Sequence, residues 1–157
     1  MSELNDCWSL YFHDPYDYNW ELSSYKMITS INKVEEFVES FHVFKELFYN
    51  GMFFLMRNNI TPRWEDSENK NGGCFSFKVC KYLLHNNLFE ICSLMLGEKL
   101  GKTWEYSQNI NGISVCPKKN YYIIRIWIKD CAFASFNYYN ISVPKFSTLM
   151  YKNHSQK

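Results

Sequence analysis

The stretch from Ile60 to Phe77, I-T-P-R-W-E-D-S-E-N-K-N-G-G-C-F-S-F, constrains this chain more than any other. Pro62 fixes its own φ and biases Thr61 away from helix, so Trp64 is expected on a loop. The polar run that follows closes at Gly72-Gly73. Beyond it, Cys74 to Lys81 alternates, with Phe75, Phe77 and Val79 on one side and Ser76 and Lys78 on the other, which predicts a strand. A loop tryptophan followed by Glu65 and Asp66 has two readings. The indole can stack on a flat polar ring while a carboxylate takes hydrogen bonds from the ring edge; guanine offers such an edge, with N1–H and N2–H₂ side by side. Equally, Trp64 can be a core anchor and Glu65-Asp66 a solvated turn.

The rest of the chain alternates between strand and helix signals. Trp8 to Phe12 reads as a short aromatic strand, and the turn-rich loop His13 to Asn19 delivers Trp20. Tyr25 to Ile31 alternates as a second strand. Asn32, with Glu35 three residues on, predicts a helix start of the capping-box type. That helix places Val34, Phe37, Val38, Phe41, Phe44 and Phe48 on one apolar face, and Asn50-Gly51 ends it. Met52 to Met56 is a short apolar strand. Leu88, Ile91, Cys92, Met95 and Leu96 follow helical spacing, with Gly97 beginning the exit. Ile113 to Cys116, the turn at Pro117 to Asn120, and Tyr121 to Ile128 predict a hairpin. Ser142 to Met150 is a candidate last strand and Tyr151 to Lys157 a frayed tail. Strands mostly joined by hairpins, with two helices, imply an α+β fold: an antiparallel sheet with helices on one face.

Composition excludes several classes. A chain of 157 residues suits one domain over 1–157. A net charge of +1 is no basic footprint, so any nucleic-acid contact must be local. Only three residues are arginine, which makes each one's position informative. Six cysteines without C-x-x-C or histidine at zinc spacing predict free thiols in a reduced, intracellular protein. The acidic N-terminus is not a signal peptide, and no apolar run reaches membrane-spanning length. No nucleophile–base pair, P-loop, metal cluster or cofactor motif is present, so the chain reads as a binding module and not an enzyme.

Pro62-Arg63-Trp64-Glu65-Asp66 followed by Asn69-Lys70-Asn71-Gly72-Gly73 resembles the signature of the eukaryotic translation initiation factor 4E family, which binds the messenger-RNA cap. Trp8 to Phe12 resembles its opening strand, Asn19-Trp20 its first cap-stacking tryptophan, and Lys33 to Phe37 the start of its first helix. Leu96-Gly97-Glu98 resembles the end of its second helix, and Gly112 to Trp127 a strand pair ending in a pocket tryptophan. The likeness runs from about Trp8 to Trp127. It implies a strongly curved sheet with helices on the convex back and the cap, N7-methylguanosine with a triphosphate bridge, in the concave mouth.

Carried onto this sequence, the resemblance makes Trp20 and Trp64 the stacking residues and Glu65 the reader of the guanine edge. Trp127 becomes the wall near the methyl group. Methylation makes the ring cationic, so two indoles add cation–π attraction to stacking. The phosphate side departs from the pattern. Cys74 replaces a usual arginine, Asn120 and Ile123 stand at two lysine positions, and Lys118 at an arginine position. Lys118, Lys119, Arg125 and Arg63 are the candidate replacements. On the dorsal face Val38 stands at a family tryptophan and Ser93 at an apolar contact. The surface of Val34, Val38, Phe89 and Glu90 is expected to receive the scaffold protein of the initiation factor complex, either a general one or one matched to this chain.

The segment between Trp127 and Pro144 is short, so a third dorsal helix is expected to be reduced. The 98–111 loop is longer than usual and carries Trp104. These features imply a cytoplasmic factor that binds capped messenger RNA and recruits it for translation through a scaffold. The alternatives are a cap-binding competitor that does not recruit, and a cap-inactive interaction module.

Overall fold

The computed structural model describes residues 2–154. Its strands are β1 (Glu3–His13), β2 (Lys26–Lys33), β3 (Met52–Arg57), β4 (Gly73–Val79), β5 (Ile110–Pro117), β6 (Tyr122–Ile128) and β7 (Met150–Asn153). The helices are α1 (Val34–Val43), α2 (Lys81–Leu96) and α3 (Trp104–Gln108). The strands form one curved sheet in the order β2-β1-β3-β5-β6-β4-β7, every neighbouring pair antiparallel. The α+β architecture is the one expected.

Alternation along the strands separates two faces. Phe75, Phe77 and Val79 of β4 join Leu10, Phe53, Leu55, Val115 and Ile124 in the main core, where Phe37 and Phe41 of α1 and Leu84, Leu88 and Ile91 of α2 pack. Phe54, Met56, Cys74 and Trp127 form a smaller cluster on the other face. Among the described residues no helix is long and apolar enough to cross a membrane.

The connections differ from the expected chain of hairpins. Only β1–β2 and β5–β6 are sequential neighbours; β5 and β6 lie between β3 and β4. The 58–72 segment must therefore cross three strand spacings, about 14 Å at ~4.8 Å each. That crossing lays the Trp64 loop over the end of the sheet. Gly72 and Gly73 permit its landing. A Cβ on Gly72 would run into the Ile128 carbonyl, and one on Gly73 into the Lys152 carbonyl.

Three local expectations are corrected. The helix cap is Lys33, without a side-chain cap; Asn32 still belongs to β2. The acids of the first turn serve the incoming strands instead. Asn32 N–H donates to Glu36 Oε1 at 2.9 Å and Ser2 N–H to Glu35 Oε1 at 3.1 Å. The single apolar face continues only to Val43, and Phe48 is buried from a separate 3₁₀ turn, Leu47–Tyr49. The last strand is Met150–Asn153, not Ser142–Met150. Pro144 has no amide to give a ladder, and Phe146 takes the left-handed φ of 74°. Tyr151–Asn153 is thus an edge strand; the 155–157 part of the expected tail lies outside the described residues.

Between β6 and β7 stand only the 3₁₀ turns Cys131–Phe133 and Phe136–Tyr138, so the third dorsal helix is reduced as expected. The long 98–111 loop folds in part into α3, capped by Thr103 Oγ1, which accepts from Tyr106 N–H at 3.2 Å.

Candidate ring-binding cleft

The two loop tryptophans reach the open face from opposite ends of the sheet. The loop after His13 leaves beside Met52, where β3 begins. The 58–72 loop leaves where β3 ends and lands at Gly73, opposite the last residue of β6, Ile128. Trp20 and Trp64 remain 45% and 43% exposed, so neither is a core anchor. They line one cleft of about 550 Å³ together with Glu65, Trp127 and Arg125.

A dense hydrogen-bond network fixes the Trp64 loop. Asp66 Oδ2 accepts from Thr61 N–H at 2.9 Å and Thr61 Oγ1–H at 2.6 Å, and Asp66 Oδ1 from Glu68 N–H at 2.9 Å. Partial burial alone would raise the Asp66 carboxyl, but the bonds from Thr61 and Glu68, with Arg63 nearby, hold it below the usual range. Asn69 is fully buried; its Nδ2 donates to Thr61 O at 3.0 Å and Arg63 O at 2.8 Å. Asn111 Nδ2 on β5 donates to Asn69 Oδ1 at 2.9 Å and Glu68 O at 2.7 Å, which ties the loop to the sheet. Asp66 and Asn69 thus turn Trp64 and Glu65 outward.

The floor is built by register. Trp127 on β6 sits opposite Cys74 on β4, and Arg125 opposite Ser76 and Ser114. The Trp127 indole N–H donates to Ser114 Oγ at 3.1 Å, and its ring meets Phe54 edge-on at 6.3 Å. Burial pushes the Cys74 thiol up to about 12, with Arg125 opposing, so a neutral thiol faces the cleft. Burial and then Glu65 raise the Tyr25 phenol to about 12.

Sequence reasoning missed the wall made by β7. Lys152 pairs with Cys74, and Lys152, Asn153 and His154 line the cleft. The His154 ring lies 5.2 Å from Trp127; burial depresses its pKa to about 4, and Glu65 partly offsets this. A four-residue edge strand has too little pattern to be read alone. Tyr25, Met52 and Phe54 also line the cleft; their alternation was readable but not the face they serve.

The predicted cations separate into two groups. Arg125 lines the cleft, whereas Lys118 and Lys119 are exposed at the β5–β6 hairpin tip and do not border it. Half-buried Arg63 does not border it either; its charge acts on Tyr25 and Asp66. On the opposite face α1 and α2 meet where the Phe37 and Phe89 rings stack at 5.4 Å. Val34, Val38, Phe89 and Glu90 are exposed there, Val38 by 48%.

A curved antiparallel sheet backed by helices carries two loop-borne indoles and a carboxylate over its open face, an arrangement able to stack on a flat ring and accept hydrogen bonds from its edge. The chain belongs to the eukaryotic initiation factor 4E family, whose sequence profile matches residues 3–157. It is 31% identical over 136 residues to eukaryotic translation initiation factor 4E of Candida albicans, covering 82% of this chain and 65% of that protein. It is 33% identical over 137 residues to the Candida glabrata factor, covering 82% and 63%. The chain thus spans less than two thirds of the length of these relatives. Among solved structures, it resembles Caenorhabditis elegans eIF4E-3 in complex with the 4E-binding protein Mextli and a cap analog. There the TM-score is 0.83 at 24% identity, over 98% of this chain and 93% of the other.

Proposed function

We propose that residues 1–157 act as one cap-binding domain, a binding module and not an enzyme, that holds the N7-methylguanosine cap of messenger RNA in the cytoplasm. The observation that carries this reading is that Trp20, Trp64, Glu65 and Trp127 line one cleft although they come from three separate parts of the chain. In this reading the cationic base lies between Trp20 and Trp64, each face contributing ~1–3 kcal/mol of stacking. The Glu65 carboxylate accepts from guanine N1–H and N2–H₂, a charge-assisted pair contributing ~1.5–3 kcal/mol and denied to adenine. Trp127 walls the side of the methyl group. Arg125 and Lys152 hold the first phosphates, and the bridge continues toward Lys118 and Lys119 at the hairpin tip. Arg63 acts on the loop rather than on the phosphates.

Val34, Val38, Phe89 and Glu90 form the surface for a scaffold that brings the capped message to translation. The exposure of Val38, where an indole would give a larger anchor, favours a second reading: a competitor that holds capped RNA and recruits poorly through a general scaffold. Capture on immobilised N7-methylguanosine diphosphate, with elution by free ligand and not by GDP, tests the cap reading. Failure to be retained contradicts it. The proteins that co-elute separate recruiter from competitor.

A further inference from the structure

Trp20 lies outside any helix or strand and 45% of it is exposed, so its backbone alone does not orient the indole. The closest ring against that indole is an imidazole. His13, the last residue of β1, is fully buried and stacks on Trp20 with centroids 4.1 Å apart and planes 5° from parallel. Its Nε2 lies 2.7 Å from the Asn19 carbonyl oxygen. A carbonyl only accepts, so Nε2 carries the proton and donates to the peptide immediately before Trp20. Among the described residues Nδ1, also buried, has no hydrogen-bond partner, so the bond at Nε2 is the ring's polar tie to the protein. Tyr25 packs tilted against the imidazole at 4.8 Å and against the Trp20 indole at 6.4 Å, and leans edge-on against Phe54 at 5.4 Å. Met52 is the register partner of His13 on β3.

We infer that His13 is the positioning residue of Trp20: its imidazole holds the indole in one orientation for the ligand on its far face. The stack fixes the plane of the indole, and the Nε2–H bond to the preceding peptide is secondary to it. The ligand part of the inference rests on the cap-binding reading; the orientation part does not.

The test uses two variants of the whole chain and two readouts. His13→Gln keeps an N–H donor and removes the ring; His13→Phe keeps the ring and removes the donor. The first readout is the relaxation order parameter of the Trp20 indole N–H in free protein, with the Trp127 indole N–H as internal reference for the fold. The second is the affinity for N7-methylguanosine diphosphate. The expected result is a mobile Trp20 indole and affinity weakened about fivefold to tenfold in His13→Gln, the scale of one aromatic pair. His13→Phe is expected to keep an ordered Trp20 indole and an affinity within about twofold of wild type, because the stack remains. An ordered Trp20 indole in His13→Gln overturns the inference. So does a mobile one in His13→Phe while Trp127 stays ordered, and this variant decides the matter if His13→Gln does not fold. If wild type binds no ligand, the cap reading fails, and the order parameters still decide the role of His13.

Discussion

Asn69→Ala probes the link between loop network and binding most sharply. The substitution removes three hydrogen bonds: Nδ2 to Thr61 O, Nδ2 to Arg63 O, and Asn111 Nδ2 to Oδ1. Each group left behind keeps one partner. Thr61 O still accepts from Arg63 N–H, Arg63 O from Asp66 N–H, and Asn111 still donates to Glu68 O. The full penalty for orphaned buried groups therefore does not apply, and about 1 kcal/mol per bond gives a loss of about 3 kcal/mol. For a chain of this size that corresponds to a melting point lower by about 6–12 °C. The loop that loosens carries Trp64 and Glu65, so affinity for N7-methylguanosine diphosphate falls by at least about tenfold even at temperatures where the variant stays folded. Thermal unfolding by circular dichroism and calorimetric titration at 15 °C measure both. A variant that melts within 2 °C of wild type and binds within about twofold of it would refute the claim that Asn69 organises the loop.

Three further outcomes are expected. Neutralising Arg125 and Lys152 together should lower affinity for the methylated nucleotide triphosphate and its salt dependence while sparing the nucleoside; neutralising Lys118 and Lys119 should matter less, and a reversed order would move the phosphates to the hairpin tip. The His154 pKa is depressed in the folded state, to about 4 from an unfolded value of ~6.5, so between those values the unfolded chain takes up a proton that the folded chain refuses. Stability should fall as pH drops through that window, and urea midpoints at pH 7 and pH 5 should differ less in His154→Phe than in wild type. Val38→Trp, at an exposed helix position, should leave the fold unchanged and strengthen binding of the Mextli segment that engages its partner by at least about tenfold, because a buried indole is a frequent interface hot spot; peptide titration reads it, and an unchanged affinity would show that α1 is not the anchor.

The sheet was legible because its strands alternate and its turns carry Pro, Gly and Asn; β4 and β6 fall within two residues of their expected bounds, while β5 begins three residues earlier than expected, at Ile110. The capping box failed because tertiary strand pairing took Asn32, and the acids beside it found other amide donors. The place of β4 beside β6 was not readable, since strand order depends on which edges meet and not on local pattern. In the cleft, Trp20, Trp64, Glu65 and Trp127 were readable through resemblance, each standing in a recognisable motif. His13, Lys152 and His154 were not. Each owes its place to register or to one stacking contact, and neither residue type nor spacing signals that.

The central claim is that Trp20, Trp64 and Glu65 together recognise a methylated guanine. Calorimetric titration of N7-methylguanosine diphosphate and of unmethylated GDP into wild type and Glu65→Ala tests it most directly. The account predicts that the methylated ligand binds wild type at least about tenfold more tightly than GDP, because only the methylated ring is cationic. It also predicts that Glu65→Ala weakens the methylated ligand by about tenfold to a hundredfold, the loss of one charge-assisted pair. Equal affinity for the two nucleotides, or a Glu65→Ala variant that binds like wild type, would contradict it.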